Sequence, residues 1–257
     1  MFRLYTSLLL LLLAVSCRQN YSHSISSHEL IAIDTTILDD TAVNTFIAPY
    51  RDTLEQKMHR IIGFNQKTMS SDRPNSPLSS MVADIMLAEG RKFIDSADID
   101  AEPRPSLAIV NVRGLRTSLN AGDISIRDVF EIMPFENVLT AVLMKGEDVD
   151  SLFRHIATIG GDGLAGASFT ITRRGAKNIM IDDQPLDSDQ MYHVFVPDYL
   201  ADGGDSYFVF GKAVEKIYTR LKLRDLIIQH IEKLTKQGKQ ITFDGQARIV
   251  DARKAAK

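Results

Sequence analysis

The chain has 257 residues, a net charge of −3, 44% hydrophobic and 25% charged residues, and a single cysteine. That composition is ordinary for a globular protein, and one cysteine excludes an internal disulfide framework. The mild acidity argues against a broad surface for a nucleic-acid polymer or an anionic membrane, while leaving room for a small anionic ligand held by a few placed arginines.

Residues 1–16 (MFRLYTSLLLLLLAVS) carry one basic residue, Arg3, ahead of an apolar run from Leu8 to Val15. A run that short falls below the roughly 20 apolar residues a membrane span needs, so it reads as a signal peptide. Ala14-Val15-Ser16-Cys17 resembles a lipobox, which makes Cys17 the expected lipidation point of a bacterial lipoprotein precursor. A lipoprotein's several acyl chains would anchor it stably. Residues 17–28 are polar and unpatterned, a lipidated tether, and residues 29–257 are expected to fold as the body of the protein. Losing Arg3 with the leader makes the net charge one unit more negative, −4. No acid-rich stretch follows Cys17, which favours a periplasmic face of the cell envelope.

Leu30–Leu38 is β-rich. From Asp40 to Ile62 the period is helical, with Tyr50, Leu54, Met58 and Ile61 on one stripe, and Pro49 either starts that helix near Ala48 or kinks it. Ser76 and Pro77 suit the N-cap and first position of a helix whose apolar face is Leu78, Met81, Val82 and Ile85. Leu107–Val110 reads as a buried strand and Leu139–Met144 as another. Val149, Leu152, Phe153 and Ile156 mark an amphipathic helix. Three strand-like segments begin at Ser168, Asn178 and Met191. A closing helix bears Leu223, Leu226, Ile227, Ile231 and Leu234, ahead of a last strand at Ala247–Val250. Helices and strands mix without strict alternation, so the expected class is α+β, mixed sheets with helices packed on them in a layered α/β architecture.

Three loops hold polar groups that a fold alone does not need. Asn111-Val112-Arg113-Gly114-Leu115-Arg116 places an amide and two guanidinium forks after a buried strand, suited to ribose, phosphate or base edges. Pro134-Phe135-Glu136-Asn137 sets an aromatic after a proline. Tyr199-Leu200-Ala201-Asp202-Gly203-Gly204-Asp205 puts an aromatic six residues before a carboxylate, with paired glycines that let backbone approach closely. Singly each has a plain reading: Phe135 in the core, Tyr199 ending a strand, Arg116 paired with a surface acid, Asp205 closing a turn.

Together and in this order, with Gly122-Asp123-Ile124 and a Lys145-Gly146 turn between them, these segments resemble the C-terminal, substrate-recognition domain of the 5′-nucleotidase family, from about Ser76 to Phe210. The resemblance implies a clamp of two aromatic rings, Phe135 and Tyr199, around a nucleoside. It implies Asp205 on the ribose hydroxyls, and Asn111 and Arg116 along the base and ribose-phosphate side. Arg113 stands where the family tends to have a small residue, so it rebuilds the loop or adds a contact. Tyr199 stands where Phe is commoner. Arg73 is a candidate for a further family arginine, although its spacing fits poorly.

Full-length members of the family hydrolyse phosphate with an N-terminal dimetal domain, which gathers carboxylates, an amide and several histidines to activate water. The six histidines here, His23, His28, His59, His155, His193 and His230, show no such spacing, and no Gly-x-Ser-x-Gly elbow offers a nucleophile. No catalytic or metal-ligating residue and no cofactor is therefore expected in this chain. Divalent metals are expected instead on a separate metallophosphoesterase partner, with this chain as the recognition half of a split enzyme for nucleotide catabolism. The competing expectation is an envelope lipoprotein that captures nucleosides or nucleotides without catalysis.

Overall fold

A computed structural model of the chain describes residues 27–32, 34, 37–99, 104–242 and 245–253. The expected leader, Cys17 and the tether as far as residue 26 lie outside them. The chain divides into two compact units, Met1–Ala48 and Pro49–Lys257. No described helix is long and apolar enough to cross a membrane.

The described part of Leu30–Leu38 contains no strand. Leu30, Ile31 and Leu38 stand exposed there, and a β-prone run becomes a strand only against a ladder partner and a packed face. Helix α1 (Thr41–Met58) begins where Asp40 Oδ1 accepts the Ala42 and Val43 N–H groups, an N-cap that spares two orphan donors. The helix runs through Pro49 rather than starting there. It ends at Met58, short of the expected Ile62, and buries none of its residues. Ile61 instead opens strand β1 (Ile61–Asn65), which pairs antiparallel with β3 (Gly122–Ser125). Tertiary packing decides that boundary: at Gly63 a Cβ would lie 2.5 Å from Ile231, so β1 presses onto the closing helix.

Helix α2 (Pro77–Ser96) starts where expected, with Ser76 at its N-cap and Pro77 at its first position. The Ser76 hydroxyl pairs with the Ser79 hydroxyl at 2.7 Å rather than with a backbone N–H. The central sheet has the order β10 (Glu215–Lys222), β4 (Val138–Lys145), β9 (Met191–Pro197), β2 (Ser106–Val110), β5 (Gly163–Ala165). Only β2 and β9 run parallel within it.

Both faces of this sheet are covered, as the period of two requires. Ala108, Val110, Ala141 and Phe195 face one core with α2 and the closing helix α6 (Leu223–Lys236). Leu107, Ile109, Val142, Val194 and Val196 face a second core with α4 (Gly146–Ile159), whose Val149, Leu152, Phe153 and Ile156 are buried. At Gly90 a Cβ would sit 2.4 Å from the Phe195 ring, so α2 lies directly on the sheet. A further sheet joins β6 (Ala167–Thr172), β7 (Gly175–Ile181), β8 (Gln184–Pro185) and the parallel β11 (Ile249–Asp251). The result is the layered mixed α/β class expected from the sequence.

The topology gathers one edge. Parallel β2 and β9 end together, at Val110 and Pro197. Antiparallel β4 begins beside them, with Leu139 opposite Pro197. The loops after β2, before β4 and after β9 therefore meet at the carboxyl ends of the parallel pair, a place where open α/β sheets bind ligands.

Candidate functional site

Those three loops carry the six residues singled out in the sequence, and they enclose one cleft of about 350 Å³. Asn111, Arg113, Arg116, Phe135, Tyr199 and Asp205 all line it, joined by Gly114 and Asn137. Phe135 and Tyr199 each remain 46% exposed, so two large rings keep open apolar surface at the mouth, unlike rings that serve the core. The plain readings of Phe135 as core and of Arg116 as a partner of a surface acid do not hold. Arg116 lies with its guanidinium carbon 6.0 Å from the Phe135 ring centroid and donates from Nη1 to the Arg113 carbonyl at 3.3 Å.

Asp205 ties two loops together. Its Oδ2 accepts from Asn111 Nδ2 at 2.7 Å and its Oδ1 from the Tyr199 hydroxyl at 3.1 Å, while its own N–H donates to that hydroxyl at 3.2 Å. The extra hydroxyl of Tyr199, compared with Phe, thus has a partner. The paired glycines divide two tasks. Gly203 takes φ +92° after the short helix α5 (Asp198–Ala201), a conformation glycine adopts without strain. At Gly204 a Cβ would come within 2.6 Å of the Tyr199 ring and 2.5 Å of its carbonyl, so only glycine lets the ring lie against this turn. Asn111 is buried, with its Oδ1 lacking a hydrogen-bond donor among the described residues. A Cβ at Gly114 would lie 2.7 Å from that oxygen.

Carboxylates set the loops in place, one of them fully buried. Asp162, 1% exposed, accepts from Arg73 at 3.0 and 3.3 Å, from the Val112 N–H at 3.1 Å and from the Tyr207 hydroxyl at 2.6 Å. Burial, and after it the Asp162 charge, pushes the Tyr207 phenol well above the usual tyrosine range. The candidate Arg73 spends its guanidinium on this buried carboxylate, which also accepts from Val112 in the Asn111–Arg116 loop, and it is not among the residues lining the cleft. The Phe135 loop follows α3 (Ile126–Ile132), which opens with a Ser125–Asp128 capping box. Buried Arg224, on the first turn of α6, donates to the Met133 and Pro134 carbonyls and pairs with Glu136. Hydrogen bonds from Lys222 first and Arg224 second hold the Glu136 carboxyl down at about 2. Asp198 Oδ1 accepts from Val138 N–H at 3.2 Å and from Tyr199 N–H at 2.9 Å, linking the Phe135 and Tyr199 loops.

Sequence reasoning missed Asp162, Asp198 and Arg224. Asp162 had one local signal, a Gly160-Gly161-Asp162-Gly163 run closing an amphipathic helix, with Gly160 and Gly161 at φ +88° and +107°. Asn137 was noted in its motif without a role. Among the described residues no group of three or more His, Cys, Asp or Glu side chains is gathered for a metal ion. His155 and His230 lie on helices and His193 on a strand.

Comparison with known proteins agrees with this geometry. The model of the family described as 5′-nucleotidase, C-terminal domain, matches residues 56–212. A 5′-nucleotidase of Vibrio vulnificus is 28% identical over 182 residues, 69% of this chain and 32% of that protein. The protein UshA of Yersinia enterocolitica is 30% identical over 131 residues, 49% of this chain and 24% of its own length. This chain thus spans about a third of the length of the curated relatives it matches. Among solved structures, a 5′-nucleotidase precursor of Thermus thermophilus superposes with a TM-score of 0.67 at 20% identity, covering 83% of this chain and 43% of that one. The NAD nucleotidase of Haemophilus influenzae does so at 0.60 and 20%, covering 82% and 41%; likeness at that identity concerns the fold. With well over half of its residues matched by the family model, this chain belongs to the 5′-nucleotidase C-terminal domain family.

Proposed function

We propose that this chain is the nucleotide-recognition component of a split 5′-nucleotidase. It presents a nucleotide to a metallophosphoesterase on a separate chain, and lipid at Cys17 holds it to the membrane on the periplasmic side. The observation that carries the reading is the convergence of Phe135, Tyr199, Asn111, Arg113, Arg116 and Asp205 on one cleft. Two half-exposed rings offer faces for a base, which stacking holds with roughly 1–3 kcal/mol per base whatever its identity. Asp205 offers acceptors to ribose hydroxyls, and the guanidiniums offer forks to phosphate.

This is recognition chemistry. Among the described residues the one carboxylate lining the cleft, Asp205, accepts one hydrogen bond on each oxygen, from Asn111 and Tyr199, and keeps lone pairs for ribose hydroxyls. On this proposal hydrolysis belongs to the partner, with its metal ions and attacking water. The nucleotidase names of the relatives support a nucleotide-related role for the domain.

Two measurements test this. Calorimetry of the full-length chain with adenosine and AMP should give saturable binding that the Phe135→Ala, Tyr199→Ala double variant loses. Mixing the chain with exported metallophosphoesterases should give AMP hydrolysis beyond that of either component. A partner whose rate and KM are untouched by this chain sinks the split enzyme, and binding that persists in that case leaves a capture lipoprotein.

A further inference from the structure

The cleft carries two cations against one carboxylate. Arg113 and Arg116 both line it, Asp205 is the only acid that does among the described residues, and each oxygen of Asp205 already accepts one hydrogen bond, from Asn111 or from Tyr199. Neither arginine is joined to a carboxylate among the described residues. The third cation nearby, Arg73, is closed off by buried Asp162. The two free forks also differ in setting. Arg116 is anchored, bonded to the Arg113 carbonyl and lying beside the Phe135 ring, where an anion attached next to a stacked base and its sugar would fall. Arg113 is exposed and its guanidinium makes no hydrogen bond among the described residues, although its backbone is fixed by the turn Val112–Gly114, whose first N–H is held by Asp162. A guanidinium fork matches phosphate oxygens two at a time, so a monophosphate's three terminal oxygens fill one fork and must share an oxygen to fill a second, whereas a diphosphate can offer each fork its own pair.

We infer that Arg113 is a specificity-determining residue that receives a second phosphate, so that the cleft distinguishes nucleotides by the number of phosphates they carry and holds a nucleoside 5′-diphosphate more tightly than the monophosphate. The inference rests on the nucleotide reading of the cleft and adds to it the discriminating residue.

The test is calorimetry of the full-length chain in mild detergent, without divalent metal, using adenosine, AMP and ADP. The wild type should bind ADP about tenfold more tightly than AMP, on the order of 1.4 kcal/mol, and the preference should shrink as salt is raised. Arg113→Ala should bring the two affinities within about twofold, and a thermal unfolding midpoint equal to the wild type's shows that the variant is folded. Arg113→Lys keeps the charge and loses the fork, and should retain only part of the preference. A wild type without preference, or an Arg113→Ala variant whose ADP-to-AMP ratio equals that of the wild type, overturns the inference while leaving nucleoside binding intact. Failure of the wild type to bind adenosine removes the nucleotide reading itself, and the role of Arg113 with it.

Discussion

Asp162→Ala should be among the most damaging single changes in the chain. Its carboxylate sits 1% exposed and accepts from three elements: Arg73, the Val112 N–H and the Tyr207 hydroxyl. Hydrogen bonds to a charged group contribute roughly 1.5–3 kcal/mol each, although not additively. Truncating one partner of a buried ion pair costs about 3–5 kcal/mol, because the other is left uncompensated. The Arg73 side chain is 28% exposed and can recover some hydration, which places the expected loss at the low end, about 3 kcal/mol. Urea unfolding should show the loss as a lower midpoint with an unchanged slope. Tyr207→Phe, which removes one donor, should cost about 1.5–2 kcal/mol, and a double-mutant cycle with Arg73→Ala should reveal coupling. Because Val112 begins the turn that carries Arg113 and precedes Arg116, residual folded Asp162→Ala protein should also bind AMP more weakly. An Asp162→Ala variant within about 1 kcal/mol of wild type would refute the view that this carboxylate anchors the binding loop.

Gly204→Ala should reduce adenosine affinity at least tenfold and also lower stability, since the new methyl would meet the Tyr199 ring and its backbone carbonyl in a half-buried turn; calorimetry beside thermal unfolding measures the two. Glu136, held at about 2 chiefly by its hydrogen bonds to Lys222 and Arg224, has a lowered folded value. Its contribution is therefore present above the ordinary glutamate pKa and lost as pH falls toward 2. Carboxyl-carbon NMR should find its titration moved back up in Arg224→Ala, and no movement would exclude that pairing in solution. Tyr207 has a raised value, so its neutral form contributes below the ordinary tyrosine pKa of about 10 and the contribution fades as pH rises through the folded value. Alkaline unfolding of Tyr207→Phe should lack that component.

The cleft residues could be picked out because three polar and aromatic loop segments together, in their order, resemble the family's recognition domain, whereas each segment alone also had a plain structural reading. Strands such as Leu107–Val110 and the helix at Val149–Ile156 were legible because local period and burial agree. The supporting hub was not. Asp162 draws its partners from positions 73, 112 and 207, and no local pattern brings those together. The end of α1 was misplaced for a related reason: Ile61 continues the helical stripe, yet pairing with β3 and the close approach of Gly63 to Ile231 make it a strand. Leu30–Leu38 shows the opposite case, a β-prone composition whose described residues form no strand.

The single acceptor shared by Val138 and Tyr199 has a mechanical consequence. One oxygen of Asp198 fixes both the start of β4, three residues beyond Phe135, and the residue that bears the second ring. The backbone positions that carry the two rings are therefore tied to one another through sheet register and a carboxylate. On the proposed reading, a tie of this kind keeps the two ring-bearing loops at one spacing and leaves the choice among flat ligands to the polar groups along the rim.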